Sequence, residues 1–245
     1  LVQVRPLTAD ETARLRAFGA KHMEFRELVV PTDDPAWKTA IKHWNGRWNR
    51  EEAMKAYQLF GELDKKYSNR IEPKLWLARS SFWLHHLAET SEEAAKWALL
   101  AVKHGERARA IEPRNPAACW WTAISMGFHA SHGSNVLFAK YAFDCLMMLQ
   151  IIIEEDPLYY YGGVQQFLAL ALARTGKLAR KAIGIMGYPM PEAERLVTFA
   201  IEYEPRFLES YYALAELYIV MGKKDEARKI IELILSADPL SLIHI

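Results

Sequence analysis

Cysteine is scarce in this sequence: Cys119 and Cys145 are the only two among 245 residues. Both sit in apolar helical contexts and lack the paired spacing of a zinc site, so they read as buried thiols rather than ligands or a disulfide framework. An excess of one charge is also missing. Lys plus Arg number 31 against 30 Asp plus Glu, with no long single-sign block, so the chain has no basic stripe of the kind a phosphate backbone requires. Nucleic acid is not an expected partner. Long apolar runs are lacking as well. "CLMMLQIII" (145–153) and "FLALALA" (167–173) fall well short of the about 20 consecutive apolar residues needed to cross a bilayer. No signal peptide is visible, and a chain that starts at Leu1 is read as a fragment or a mature form whose leader has been removed.

Reactive motifs are equally sparse. No serine stands in a Gly-x-Ser-x-Gly pattern, which excludes the usual nucleophile elbow. "GIMG" (184–187) lacks the Gly-Lys-Ser/Thr ending of a phosphate-binding loop. His129 and His132 are three apart, but no acidic or cysteine ligand accompanies them, so they read as a solvated loop pair. His85 and His86 are adjacent and on a helix would point in different directions. The expectation is a protein that is not an enzyme, with no catalytic residue, no metal and no cofactor.

What the chain does have is a 51% hydrophobic content, ample for a core, and prolines placed in a pattern. Pro73, Pro113, Pro157, Pro205 and Pro239 each follow an acidic residue and an amphipathic stretch, at successive separations of 40, 44, 48 and 34 residues. The last separation is the tetratricopeptide period. In that final unit Tyr211, Leu214, Ala215, Tyr218, Gly222, Ala227, Ile231, Ile234 and Pro239 fall on the repeat's large, small, turn and stop positions. The residue types have physical reasons: Ala215 and Ala227 mark a close crossing of two antiparallel helices, Gly222 ends the first helix, and Pro239 ends the second.

Earlier units follow the same plan more loosely. Leu168, Ala169, Leu172 and Gly176 are followed by Ala193, Val197, Ala200 and Pro205, with "KLARKAIGIMGYPMP" (177–191) between them. Its glycines and prolines predict a loop. "NPAACWWTAISMGF" and "CLMMLQIIIEEDP" flank a turn at "HASHGSN". Thr90 with Glu93 predicts a capping box. Asp34 and Pro35 open a short helix paired with one over 50–67, and Thr8 starts a leading helix to about Val29. The fold class expected is therefore all-α: a tetratricopeptide-like α-solenoid of about five helix pairs with a leading N-terminal helix. It forms a single helical-repeat domain over 1–245, with the leading helix and a degenerate first pair at 8–72, repeats at 73–239 and an irregular tail at 240–245.

Eight tryptophans and eleven tyrosines exceed what interhelix packing strictly needs. Trp44, Trp48, Trp83, Tyr159, Tyr160 and Tyr161 fall outside the repeat landmarks. Two readings stay open for them, the lining of a cavity and the ordinary core of a solenoid. In "DPLYYYGGVQQFLALALARTG" (156–176) the part from Phe167 onward reads as core. The tyrosines and Gly162–Gly163 read as the border of a groove where backbones come close. Trp120, Trp121, Tyr160, Tyr161 and Gln165 are the candidate ligand-binding residues, Gln165 putting an amide where the repeat usually has an aromatic ring.

The strings "EPKLWLARSSFWL", "NPAACWWTAISMGFHASHG" and "YYYGGVQQFLALALARTG" resemble the T-component family of TRAP transporters (TatT), over roughly Arg50 to Pro239. Eukaryotic regulator of microtubule dynamics proteins share a similar layout. The TatT resemblance implies a periplasmic, often lipid-anchored, noncatalytic helical-repeat protein. It further implies a homo-oligomer that binds the periplasmic substrate-binding protein of a TRAP system and helps pass on a small organic ligand. The basic character of "KLARKAIGIMGYPMP" departs from the family pattern. The competing expectation is a general interaction scaffold that holds a peptide or helix in its groove.

Overall fold

The computed structural model describes residues 28–133, 135–174, 176–185, 187–205 and 207–236. Among these the secondary structure is helical, with no strand. The described helices fall into two compact units, one ending at Asp156 and the other beginning at Pro157.

The first unit contains α1 (Pro35–Asn45), α2 (Arg50–Lys66), α3 (Glu72–His86), α4 (Ser91–Ile111), α5 (Pro116–Ser131) and α6 (Asn135–Glu155). Short polar side chains start most of them, because the first backbone N–H groups of a helix have no partner within it. The Asp34 carboxylate accepts from the Ala36 N–H at 2.9 Å with Pro35 in the first turn. Asn49 accepts from Glu51 and Glu52, and Asn115 from Ala118 ahead of Pro116. Thr90 accepts from the Glu93 N–H at 3.1 Å, while the Glu93 carboxylate turns back to the Glu89 N–H rather than to that of Thr90. Only half of the predicted box is formed.

Each helix of this unit packs on its sequence neighbours, and α3 also touches α5, as expected when helix pairs stack side by side. Buried aromatics fill the α1–α2–α3 layer: Phe60 stacks on Trp76 at 5.1 Å and meets Trp37 at 6.1 Å. Small residues fill the crossings. Gly105 of α4 faces Thr122 of α5 so closely that a Cβ there would lie 2.3 Å from the threonine hydroxyl. A buried Asp64–Lys74 pair at 2.8 Å links α2 to α3; Lys74 also donates to the Ser68 and Arg70 carbonyls, and Arg107 of α4 donates to Asp64. Burial opposes ionisation of Asp64, but the bonds from Lys74 and Arg107 prevail and hold its carboxyl below the usual range.

The second unit contains α7 (Tyr159–Arg174), α8 (Lys177–Ile185), α9 (Met190–Tyr203), α10 (Leu208–Met221) and α11 (Lys224–Ser236). The two first helices, α7 and α10, lie side by side, with α9 against both and α11 against α10. Ala200, Ala213, Ala215 and Ala227 are buried in these contacts. Gly222 adopts a left-handed φ of 78° after α10 and its N–H reaches the Ile219 carbonyl, the helix stop that its residue type predicts.

Leaving α8 aside, the described helices form five pairs. The segment predicted as a loop instead forms α8. Its glycines sit where that helix ends: Gly184 is its penultimate residue, and Gly187 turns the chain at φ 103° before Tyr188 tucks in, 4% exposed, with its N–H on the Ile183 carbonyl. They stop the helix rather than prevent it. The predicted leading helix lies outside the described residues except for Leu28 and Val29, which are not helical. Pro239 and the 240–245 tail also lie outside them.

Candidate functional site

Trp120 and Trp121 belong to the first unit, and Tyr160, Tyr161 and Gln165 to the second. Each group is described within its own unit.

Trp120 and Trp121 are 2% and 3% exposed on α5. Neighbouring residues on a helix point about 100° apart, so both are buried only because α5 is covered from several sides, by α3, α4 and α6. Trp121 meets Phe82 edge-on at 5.7 Å and lies under the Arg79 guanidinium at 5.5 Å. Arg79, itself buried, also faces Trp44 at 5.1 Å and Trp76 at 5.4 Å. Arg47 extends the stack, lying over Trp44, Trp83 and Trp48 at 4.7, 4.9 and 5.4 Å. Aromatic faces attract these cations by their quadrupole. Of the rings singled out in the sequence, Trp44 is core, Trp83 is half-buried with its N–H on the Arg47 carbonyl, and Trp48 is 58% exposed.

A second feature of this unit, not anticipated from spacing, joins the ends of α3 and α5. His85 and His86 face one another at 4.9 Å, His86 meets Phe82 at 4.8 Å and Phe128 at 5.1 Å, and His85 meets His132 at 5.1 Å. The adjacent histidines share one cluster because rings from the next pair fill the space between them. Burial holds the His85 imidazole below its ordinary range, partly opposed by its bond to the Ala94 carbonyl. His129 lies on α5 rather than in a loop, half-buried and 3.1 Å from the Tyr141 hydroxyl, while His132 is exposed just past the helix end. Among the described residues no group of three or more His, Cys, Asp or Glu side chains is placed to hold a metal.

In the second unit the chain enters α7 through a left-handed turn. Tyr160 (φ 52°, ψ 47°), Tyr161 (φ 55°, ψ 37°) and Gly162 (φ 78°, ψ 33°) are consecutive. Glycine tolerates this region, but for each tyrosine it costs about 1–2 kcal/mol, so surrounding contacts must hold the turn in place. Gln166 donates to the Tyr161 carbonyl at 3.1 Å and to the Ser210 hydroxyl at 2.8 Å, and Gln165 donates to the Pro157 carbonyl at 3.0 Å. Phe207 packs on Tyr161 at 4.9 Å and on Tyr160 at 6.2 Å. Gly162 is required twice, for its φ and because a Cβ would sit 2.7 Å from the Ala200 Cβ of α9. Tyr160 and Tyr161 are half-buried, whereas Gln165 is 5% exposed and its Oε1 has no hydrogen-bond partner among the described residues.

On the same two first helices, Arg174 of α7 donates to both carboxylate oxygens of Glu216 at 2.9 and 2.8 Å and to the Tyr212 hydroxyl at 2.9 Å; Tyr212 in turn donates to Glu216. Arg174 and Tyr212 are exposed. This cluster has no counterpart in the repeat landmarks.

Residues 190–244 match the tetratricopeptide repeat family. A comparison with curated proteins finds no match. Among solved structures, the chain is similar to TTC0263, a thermophilic TPR protein of Thermus thermophilus. Identity is 19% over 84% of this chain and 92% of that one, with a TM-score of 0.59. It also matches MamA at 15% identity over 82% of this chain and 93% of that one, with a TM-score of 0.49. At such identities the likeness speaks to fold alone. The repeat match over 190–244 and the likeness to TTC0263, together with the stacked helix pairs and the Gly222 turn, support a tetratricopeptide-like helical-repeat protein.

Proposed function

We propose that this protein is a noncatalytic scaffold that holds a protein partner on the exposed faces of its first helices. The observation that carries the reading is the Arg174–Tyr212–Glu216 cluster. It joins an exposed cation and an exposed aromatic ring to a half-buried carboxylate across α7 and α10, where it does little for the core. Such a patch offers a partner segment both stacking area and charge-assisted hydrogen bonds. The half-buried Phe82 and Phe128 with exposed His86 form a purely aromatic patch on α3 and α5. The test is photo-crosslinking in cells from a benzophenone amino acid placed at Tyr212, with Lys229 of α11 as the second-helix control. A defined adduct from position 212 and none from 229 is expected; equal or absent adducts at both would overturn the reading.

A finer version follows from the TatT resemblance. The partner is then the periplasmic substrate-binding protein of a TRAP system, the protein is periplasmic and lipid-anchored, it assembles with copies of itself, and it passes on a small organic ligand. The aromatic turn beside Gln165 supports the ligand part. Titration calorimetry against a purified TRAP substrate-binding protein from the same genome tests the partner, with saturable binding expected. No heat at tenfold excess would remove the TRAP version and leave the scaffold reading in place.

A further inference from the structure

We infer that the left-handed turn at the start of α7 is a subsite for a small ligand that has an apolar ring and one neutral hydrogen-bond donor, an O–H or N–H, with the Gln165 Oε1 as its acceptor. Two independent observations meet there. The first is the amide itself. Gln165 is 5% exposed, its Nε2 is committed to the Pro157 carbonyl at 3.0 Å, and its Oε1 has no partner among the described residues. Exchanging the amide's N and O would set two oxygens against each other at Pro157, so the orientation is fixed by chemistry. A buried acceptor left unmade is costly, and in native proteins such a group is accounted for by an ordered water, an ion or a functional role.

The second observation is the geometry around it. The unpartnered oxygen lies beside Gly162, 3.2 Å from where a Cβ would stand, a position that is itself 2.7 Å from the Ala200 Cβ. That glycine closes the turn whose tyrosines hold positive φ at a cost. Backbone strain of this kind persists where neighbouring contacts over-determine it; here those contacts are Gln166 on the Tyr161 carbonyl and Phe207 on both rings. Tyr160 and Tyr161 are half-buried in the same turn, and aromatic rings of this kind suit contact with an apolar ring. Among the described residues no charged group is within hydrogen-bond reach of the Gln165 amide, so a neutral donor suits it.

A site that offers a hydrogen-bonding group discriminates strongly between analogues that can and cannot use it. The inference rests on the ligand part of the TRAP version and names its chemistry, and it is independent of the scaffold reading, since it concerns a small molecule and not a protein partner. The probes are p-cresol and 4-methylanisole, which share a ring and a methyl group and differ in whether the oxygen bears a proton. Dissociation constants come from saturation-transfer NMR titrations on the whole chain and on Gln165→Met, which keeps the length of the side chain but removes the amide. p-Cresol is expected to bind the wild-type chain at least tenfold more tightly than 4-methylanisole, and Gln165→Met to abolish the difference. Should the variant fail to fold, the side-chain amide resonance of Gln165 in the wild-type chain gives the answer alone, shifting with p-cresol and not with 4-methylanisole. Equal affinity for both probes, or binding of neither with the Gln165 resonance unmoved, would overturn the inference and leave the oxygen to a buried water only.

Discussion

Gly105→Ala sets two known effects against each other at one atom. Gly105 lies inside α4, and in an unobstructed helix alanine is more favourable than glycine by about 1 kcal/mol. Here the new Cβ would lie 2.3 Å from the Thr122 Oγ1, 3.0 Å from its Cα and 3.1 Å from its Cβ. The hydroxyl cannot simply turn aside, because it donates to the Ala118 carbonyl at 2.6 Å, and the backbone of α5 stands directly behind it. Overpacking of this kind costs about 1–3 kcal/mol, and a clash that includes backbone falls in the upper half of that range. The net expectation is a loss of about 1–2 kcal/mol, or roughly 2–8 °C in midpoint for a chain of this size. All eight tryptophans fall between Trp37 and Trp121, so urea denaturation followed by tryptophan fluorescence reports on the first unit alone. Adding Thr122→Ala removes the closest contact and should return part of the loss, giving a coupling of at least about 0.5 kcal/mol. If Gly105→Ala raises stability by the bare helix-propensity gain, α4 and α5 are not in close contact and the stacking is wrong.

Three further outcomes follow. His104 is held down to about 4 by burial and then by the Arg107 charge, with the Tyr57 hydroxyl and Asp64 also facing it. Its folded pKa lies below the ordinary 6.5, so its contribution is complete above pH 6.5 and lost as pH falls towards 4. The unfolding free energy followed by fluorescence should therefore fall over that window, with as much as roughly 3 kcal/mol from His104; His85 and His86, also held down by burial, add to the fall, so His104→Gln should make the profile shallower while leaving their part in place. Ala215→Leu, at a 3% exposed position on α10, should cost about 1–3 kcal/mol; an unchanged midpoint by far-UV circular dichroism would mean the register of the last pair is wrong. Burial pushes the Cys145 thiol up to about 12 and raises that of Cys119, so dithionitrobenzoate should label neither in the folded chain and both in urea. Fast labelling under native conditions would contradict the packing of α6.

The features legible in the sequence are those set by local chemistry. Asp34 with Pro35, Thr90 and Gly222 act within one turn of themselves, and a reader of spacing finds them. Ala215 and Ala227 are small because a neighbouring helix is near, a constraint that repeats with the helix pair and so leaves a period. The helix over 177–185 was obscured because its glycines lie at its end, where they mark a stop that resembles a loop. The candidate site was harder still. That Gln165 differs from the usual residue at its position is visible; that its Nε2 is committed to Pro157 and its Oε1 unpartnered depends on how the turn closes. Tyrosine at positive φ runs against residue preference, so nothing in "YYYGG" announces the left-handed turn. The His85–His86–Phe128 contacts and the Arg47 and Arg79 stacks join separate helices, and only the "WNGRW" spacing of Trp44, Arg47 and Trp48 hints at one of them.

Hydrogen exchange measured by mass spectrometry, on the chain alone and with the partner identified by crosslinking from position 212, tests the central claim most directly. The account predicts added protection in peptides from the first helices, over 159–174 and 208–221, with peptides from α11 unchanged. Protection confined to α11, or none in either set, would contradict it.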